Sequence, residues 1–345
     1  MKLQIEEAEV EKERERLVAF LRDNLTPRSD NARFDWLYLN SPFGRGRVWM
    51  AFGPTQGLLG VAAAFPRQFY VYGKKSVIWV LGDFCISKSH RSLGPAIQLQ
   101  KACLQGLRQA GASLGYDFPS RQMQAIYRRI SIPESGAVTR FVKPLRFDLE
   151  IRAILRRPWL LKFMFRSVCN DWFMARDSRL EESDLEITLM SPLHFGRDFD
   201  ELDHELISTH EVRGCREEAF LNWRYRDNPL AGFDVFTARN GSRLRGYAVV
   251  EKAKSYGLLW DIFGAGASPI RKLLLHISAK LRSEGIAAIH ASVVPNSQTQ
   301  DAFAAAGLHG RDDNPVTLLD LSQDPPLSLN HQLKSWHLTQ GDRDS

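Results

Sequence analysis

Residues 82–102 read GDFCISKSHRSLGPAIQLQKA. A strand ends near Ser87, then come His90, Arg91, Ser92, Leu93, Gly94, Pro95 and Ala96, and a helix-period pattern begins at once. A strand-to-helix turn of small residues aims unpaired backbone N–H groups and the positive end of the helix dipole at one spot, which suits a pyrophosphate. Gly94 permits close approach of a ligand or a positive φ. Pro95 suits the first helical position, where a missing N–H costs little. Lys88 and Arg91 add positive charge. The plainer reading is an ordinary helix start, since short α/β connections often hold a Gly and a Pro.

Working outward, the chain repeats itself. FDWLYLNSP begins at Phe34 and FLNWRYRDNP at Phe220, so that Trp36, Tyr38 and Pro42 correspond to Trp223, Tyr225 and Pro229. Each phrase leads into two strand-like runs joined by a turn, in which Gly60 matches Gly246. A third strand follows, matching Asp83 to Asp261. Next come an amphipathic helix ending at Gly, a short strand ending at Pro119 or Pro295, and a helical segment matching Tyr127 to Phe303. The drift in spacing is assigned mostly to the loop between the second and third strands, where insertions are tolerated. A chance phrase would not keep register through so many landmarks, so the chain reads as a tandem duplication. Trp36 and Trp223, with their tyrosines, read as packing residues.

Each unit is expected to be α/β (α+β), a mixed and mostly antiparallel sheet flanked by helices with one parallel β-α-β step. The expected boundaries are 1–150 for the first unit, 151–185 for a basic apolar linker helix, 186–325 for the second unit and 326–345 for a polar tail. The first twenty residues read as a surface helix of alternating charge, too acidic for a secretory signal.

The pattern Arg91-x-x-Gly94-x-Ala96, after a strand holding DFCIS and before an amphipathic helix, resembles the pyrophosphate loop of the GNAT superfamily of acyl-CoA-dependent N-acyltransferases. FPSRQMQAIYRRI resembles that family's strand, small polar turn and Tyr-bearing helix. Two copies in tandem resemble the double-GNAT proteins, a group that includes the Fem-type transferases. The resemblance implies an acyl-CoA, most simply acetyl-CoA, as co-substrate, attacked directly by an amine with no metal. Backbone around Cys85, Ile86 and Ser87 would bond the pantetheine amides. The turn Ser92, Leu93, Gly94, Pro95 and Ala96 would take the pyrophosphate, with Lys88 and Arg91 beside it.

The same resemblance makes Tyr127 the acid for the leaving thiolate, or else a core tyrosine on an amphipathic helix. Asp83 is the base, directly or through water, or else a strand carboxylate in a structural hydrogen bond. An oxyanion donor would come from the backbone of the Asp83–Ser87 strand. Cys85 has no His or acidic partner in sequence and reads as a small core residue. The second copy lacks the loop pattern and has Phe303 for Tyr127, so it is expected to brace the first and wall the acceptor cleft. There Glu211, Glu217 and Glu218 would attract a cationic amine, or simply form a solvated face. The alternatives are a Fem-like enzyme drawing on aminoacyl-tRNA for an envelope precursor, and a non-catalytic binding protein of the same fold.

Bulk properties narrow the field. Residues 1–150 carry 22 Lys and Arg against 14 Asp and Glu, whereas residues 181–345 carry 17 against 24. A basic front and an acidic back suit either an anionic ligand or the docking of two units. Cys85, Cys103, Cys169 and Cys215 lie far apart with no C-x-x-C pair, which fits a reducing cytoplasm and argues against a disulfide framework or zinc site. Residues 151–176 are apolar, aromatic and basic together. They read as an interdomain helix, or as peripheral contact with anionic lipid. No nucleic-acid motif stands out. The acceptor is expected to be a small-molecule or protein amine.

Overall fold

The computed structural model describes residues 3–54, 57–146, 184–295, 297–322 and 333–343. The linker reading of 151–176, and nearly all of 151–185, falls outside them. No described helix is long and apolar enough to cross a membrane.

The first unit runs β1 (Gln4–Ala8), α1 (Arg14–Asn24), α2 (Asn31–Phe34), β2 (Arg47–Phe52), β3 (Leu58–Val71), β4 (Lys74–Ile86), α3 (Leu93–Gln109), β5 (Leu114–Asp117), α4 (Arg121–Arg129) and β6 (Gly136–Pro144). The expected N-terminal surface helix is therefore partly a strand: β1 pairs antiparallel with β2, and its exposed Glu7 accepts two bonds from Arg47. Charged side chains on such an edge discourage pairing with another chain.

The second unit runs β7 (Glu186–Leu189), α5 (Arg197–Glu205), β8 (Val212–Gly214), α6 (Glu218–Leu221), β9 (Phe233–Asn240), β10 (Arg243–Lys252), β11 (Tyr256–Gly264), α7 (Ala267–Ser283), β12 (Ala288–Val293), α8 (Ser297–Ala305) and β13 (His309–Asp320). After it, β14 (Trp336–His337) pairs with β8. The repeated phrases form π-helical turns at Asp35–Leu39 and Asn222–Arg226.

The two units share one sheet, in the order β1-β2-β3-β4-β5-β13-β6-β12-β11-β10-β9-β7. The parallel steps are β4 with β5 and β11 with β12, as the duplication predicts. Each unit surrenders its last strand. β6 pairs with β12 of the second unit, and β13 pairs with β5 of the first. A boundary at 150 thus follows the chain but cuts across the sheet, because β6, just before it, hydrogen-bonds to β12 and β13 of the second unit.

The drift between the copies also lies elsewhere than in a loop. β3 and β4 have 14 and 13 residues where β10 and β11 have 10 and 9. The extra length is a paired hairpin arm whose Phe69, Tyr70 and Val71 bond to β8 in the second unit.

Three apolar cores follow from this layout. One lies under α3 and α4, one under α7 and α8, and a central one is shared by both units. At its middle Trp36 and Trp223 stack with centroids 5.1 Å apart. Trp36 Nε1 donates to the Trp223 carbonyl at 2.7 Å and Trp223 Nε1 donates to the Trp36 carbonyl at 2.9 Å. Reciprocal bonds between equivalent residues are the mark of a two-fold axis, here between halves of one chain.

Candidate active site

β4 pairs with β5 only through Trp79 with Gly115 and Val80 with Tyr116. Beyond Val80 the two parallel strands separate. The cause is a bulge: the β3–β4 register goes from Val61 opposite Cys85 to Ala63 opposite Gly82, so β4 carries one extra residue. Asp83 in that bulge has φ +46°, a left-handed conformation strained for any residue but glycine. It is held there by buried partners. Arg33 Nη1 and Nη2 bond its two carboxylate oxygens at 2.7 and 2.6 Å, and the Tyr38 hydroxyl donates to Oδ2 at 2.6 Å. Burial raises the Tyr38 pKa well above the usual phenol value, so it stays a donor.

The splay opens into a cavity of about 660 Å³. Its walls include Gly82, Asp83, Phe84, Cys85 and Ile86 of β4, Arg91, Ser92, Leu93, Ala96 and Gln100 at the turn and in α3, and Asp117 at the end of β5. Of the residues expected to meet a CoA thioester, Asp83, Cys85, Ile86, Arg91, Ser92, Leu93 and Ala96 line this space; Ser87, Lys88, Gly94, Pro95 and Tyr127 stand outside its lining. Ser87 N–H bonds the Leu59 carbonyl in β3. Strand N–H groups alternate between edges, so Ile86 and Phe84, rather than Cys85 and Ser87, turn their backbone toward the free edge. Burial pushes the Cys85 thiol up to about 12, with Asp83 adding to the effect.

α3 starts at Leu93, so Pro95 is the third helical residue, still within the first turn, whose N–H groups have no partner inside the helix. Ser92 makes no side-chain cap here, in contrast to Ser120, which caps α4 by accepting from Met123 N. A Cβ on Gly94 would meet nothing within 4 Å, so the protein itself does not require glycine there. Open space over uncapped N–H groups fits an incoming anion. Arg91 Nη2 donates to the Asn24 carbonyl at 2.9 Å, and Asn24 Oδ1 accepts from Lys88 N at 3.0 Å, which ties the loop to the end of α1. The Lys88 side chain is exposed.

Asp83 and Tyr127, expected as base and acid, have other partners. The Asp83 carboxylate is committed to Arg33 and Tyr38, whose three bonds hold the strained bulge. Tyr127 is 2% exposed and its hydroxyl donates to Asp117 Oδ2 at 2.7 Å, behind the cavity wall. Burial first, and then Asp117, raise its pKa well above the usual value. Asp117, which the sequence reading passed over, is the member of this pair that reaches the cavity. A signal for it was available. Asp117 and Tyr127 correspond to Val293 and Phe303, so a polar pair in one unit is an apolar pair in the other.

The second splay has the same origin and a different content. β11 pairs with β12 from Tyr256 to Leu259, and a bulge falls one residue from the matching aspartate: Val249 faces Asp261 and Val250 faces Leu259, which leaves Trp260 as the extra residue. Tyr225 and Tyr247 donate to Asp261 Oδ2 at 3.2 and 3.1 Å, and Arg216 Nε lies 2.8 Å from that oxygen. Past Leu259 the gap is filled by the chain's own C-terminal segment. Val293 faces Thr139 of β6 on one edge and Thr339 on the other, and Val294 N donates to the Leu338 carbonyl at 3.0 Å. Thr339 Oγ1 donates to Asp261 Oδ1 at 3.2 Å, and Arg216 reaches Asp342 at 2.7 Å. The expected polar tail is thus in part a buried plug, with Trp336 1% and Leu338 0% exposed. Its sequence is mostly polar, yet Thr339 and Asp342 find partners that make burial tolerable.

Glu217 and Glu218 line a separate groove on the two-fold axis, together with Asp35, Trp36, Trp223 and Asp227. Glu217 is paired with Lys75 of the hairpin arm, and Glu211 lies outside this groove. The groove shares no lining residue with the cavity of the first unit. Among the described residues no group of three or more His, Cys, Asp or Glu is placed to hold a metal.

No sequence-family profile matches the chain. No curated protein matches it either. Solved structures do. A GCN5-related N-acetyltransferase from Anabaena variabilis superimposes with a TM-score of 0.67 at 13% identity, covering 93% of this chain and 73% of its own. Another from Kribbella flavida gives 0.62 at 13%, covering 92% and 71%. N-myristoyltransferase from Saccharomyces cerevisiae, in a structure with bound myristoyl-CoA, gives 0.57 at 11%, covering 94% and 84%. At such identities the likeness is one of fold. The chain has the GNAT fold, in two tandem units that exchange their last strands.

Proposed function

We propose that this chain is an acyl-CoA-dependent N-acyltransferase that works in the splay between β4 and β5, with acetyl-CoA as the expected donor and a small-molecule or protein amine as acceptor. One observation carries the reading: the cavity runs from the uncapped first turn of α3 to the bulge at Asp83. A pyrophosphate would lie on the N–H groups of Leu93, Gly94 and Ala96, near Arg91. The pantetheine arm would add as a strand to the free edge of β4 at Ile86 and Phe84. The neutral amine attacks the thioester carbon and the C–S bond breaks. The amine's proton passes to Asp117, which Tyr127 orients, and the departing thiolate recovers a proton from the same pair or from water. Asp83 fixes the bulge and so the position of the thioester; the base role expected for it passes to Asp117.

Calorimetric titration of the whole chain with acetyl-CoA tests this directly. Gly94→Glu places a carboxylate where the phosphates would sit and should weaken binding by about 100-fold or more. Mixing the loaded protein with pools of amines should then release free thiol. A wild-type chain that binds no CoA thioester, or a Gly94→Glu variant that binds as wild type does, overturns the reading.

A further inference from the structure

α3 and α7 are both 17 residues long and bury the same face. In α3 that face is Ala96, Leu99, Gln100, Cys103, Leu104 and Leu107; in α7 it is Ile270, Leu273, Leu274, Ile277, Ser278 and Leu281. Gln100 thus stands where its counterpart is Leu274. A helix face buried against a sheet asks for an apolar residue there, yet Gln100 is 1% exposed and its Nε2 has no hydrogen-bond partner. The other polar residue in the set, Ser278, is satisfied within its own helix by donating to the Leu274 carbonyl at 2.6 Å. A buried amide donor without a partner destabilises a fold unless a ligand completes it.

Gln100 lines the cavity, and it is the innermost residue of α3 to do so: Cys103, Leu104 and Leu107 on the same face are packed in the core. Its depth follows from geometry. A helix joining two parallel strands runs back antiparallel to the first. Seven residues past Leu93 is about 10 Å along the helix, so Gln100 stands well inward of the phosphate turn, toward the bulge. It lies one residue beyond Leu99, which packs against Gly60 opposite Ile86. Gly82, Asp83 and Phe84 line the same cavity from the sheet side.

We propose that Gln100 Nε2–H donates to the carbonyl oxygen of the acyl thioester. It would then be a catalytic residue, the side-chain half of an oxyanion site whose other half is backbone N–H at the β4 bulge. This rests on the acyltransferase reading above. As the amine nitrogen bonds the carbonyl carbon, the carbonyl electron pair moves onto oxygen and the Gln100 bond strengthens. When the C–S bond breaks the pair returns and the bond relaxes. A donor fixed before the reaction stabilises that charge without reorganisation.

The test uses acetyl-CoA labelled with ¹³C at the carbonyl, bound to the whole chain and followed by isotope-edited infrared spectroscopy and calorimetry. In wild type the carbonyl band should move to lower wavenumber on binding. In Gln100→Leu, which installs the residue of the second unit, most of that shift should vanish while the affinity for free CoA stays as in wild type. Gln100→Leu should melt at or above the wild-type temperature, since an unpaired amide leaves the core; Gln100→Met serves if leucine misfolds. An unchanged shift in the variant overturns the proposal and leaves the acyltransferase reading standing. An equal loss of affinity for free CoA also overturns it, placing the amide on the pantetheine arm. Failure of wild type to bind any CoA thioester overturns both.

Discussion

Between β4 and β5 the sheet parts after Val80 and the gap remains a cavity; between β11 and β12 it parts after Leu259 and residues 338–342 of the same chain occupy it. Both gaps lie at a bulge at or next to a buried aspartate, which is held by an arginine and a tyrosine from the repeated phrase or just before it. What differs is what each unit sets around the gap. The first has the Asp117–Tyr127 pair and an unpartnered amide at Gln100, whereas the start of α7, like that of α3, has no side-chain cap. The second has Val293, Phe303 and Leu274 at the equivalent places and a strand-like plug. The two units thus share the shape of the gap, and the buried polar pair and amide stand only around the open one.

Removing the plug's anchor should make the largest change. Trp336 packs at 1% exposure against Phe69 and Tyr116 of the first unit. Trp336→Ala is expected to cost about 3–5 kcal/mol. Hydrogen exchange should then show the Val294 amide losing protection, because its acceptor is the Leu338 carbonyl. If melting and exchange are unchanged, the segment does not seal the second gap.

A second effect comes from acid. His337, inside the plug, and His210 beside it have ring centroids 4.8 Å apart. Burial, with help from nearby charges, lowers both: His337 well below its ordinary value of 6.5 and His210 from 6.5 to about 4. A histidine depressed in the folded state binds fewer protons there than in the unfolded chain, so stability is full above pH 6.5 and falls as the pH drops toward 4. His210 alone should account for about 3 kcal/mol of the loss at pH 4. His210→Gln combined with His337→Gln should flatten the profile over that window; a double variant with the wild-type slope would remove these groups as its cause.

The smallest change carries the sharpest contrast. Tyr127→Phe strips a donor from Asp117 and should destabilise by about 1–2 kcal/mol, while acetyl-CoA affinity stays the same and turnover falls. Adding Asp117→Val makes the pair resemble Val293 and Phe303 and should recover most of the stability with turnover abolished. Additive losses in the double variant would mean the two residues do not act as a pair.

Much of the candidate site is legible in the sequence because it is local. The Arg91 to Ala96 turn, the helix after it and the parallel step it implies all lie within a few tens of residues, where periodicity and turn chemistry speak directly. Asp83 and Tyr127 were found by the same reading, but their partners were not. Arg33 and Tyr38 lie 50 and 45 residues from Asp83, and a carboxylate's role depends on which donors reach it. Asp117 was passed over although the duplication itself, laid against Val293 and Phe303, marks it.

The sequence suffices to mark two copies of an α/β unit, the hairpin, parallel step and helices of each, and the copy that carries the Arg91-x-x-Gly94-x-Ala96 turn. Those are properties of spacing and local chemistry, and they survive without knowing any long-range contact. Long-range pairing sets the rest: the last strands are exchanged, the lengthened hairpin reaches onto the second unit, Trp36 and Trp223 meet on the two-fold axis, and one gap is open while the other is plugged. Each of these is a pairing between segments far apart in the chain. Such pairings are selected by which edges and faces are left unsatisfied once the local elements have formed.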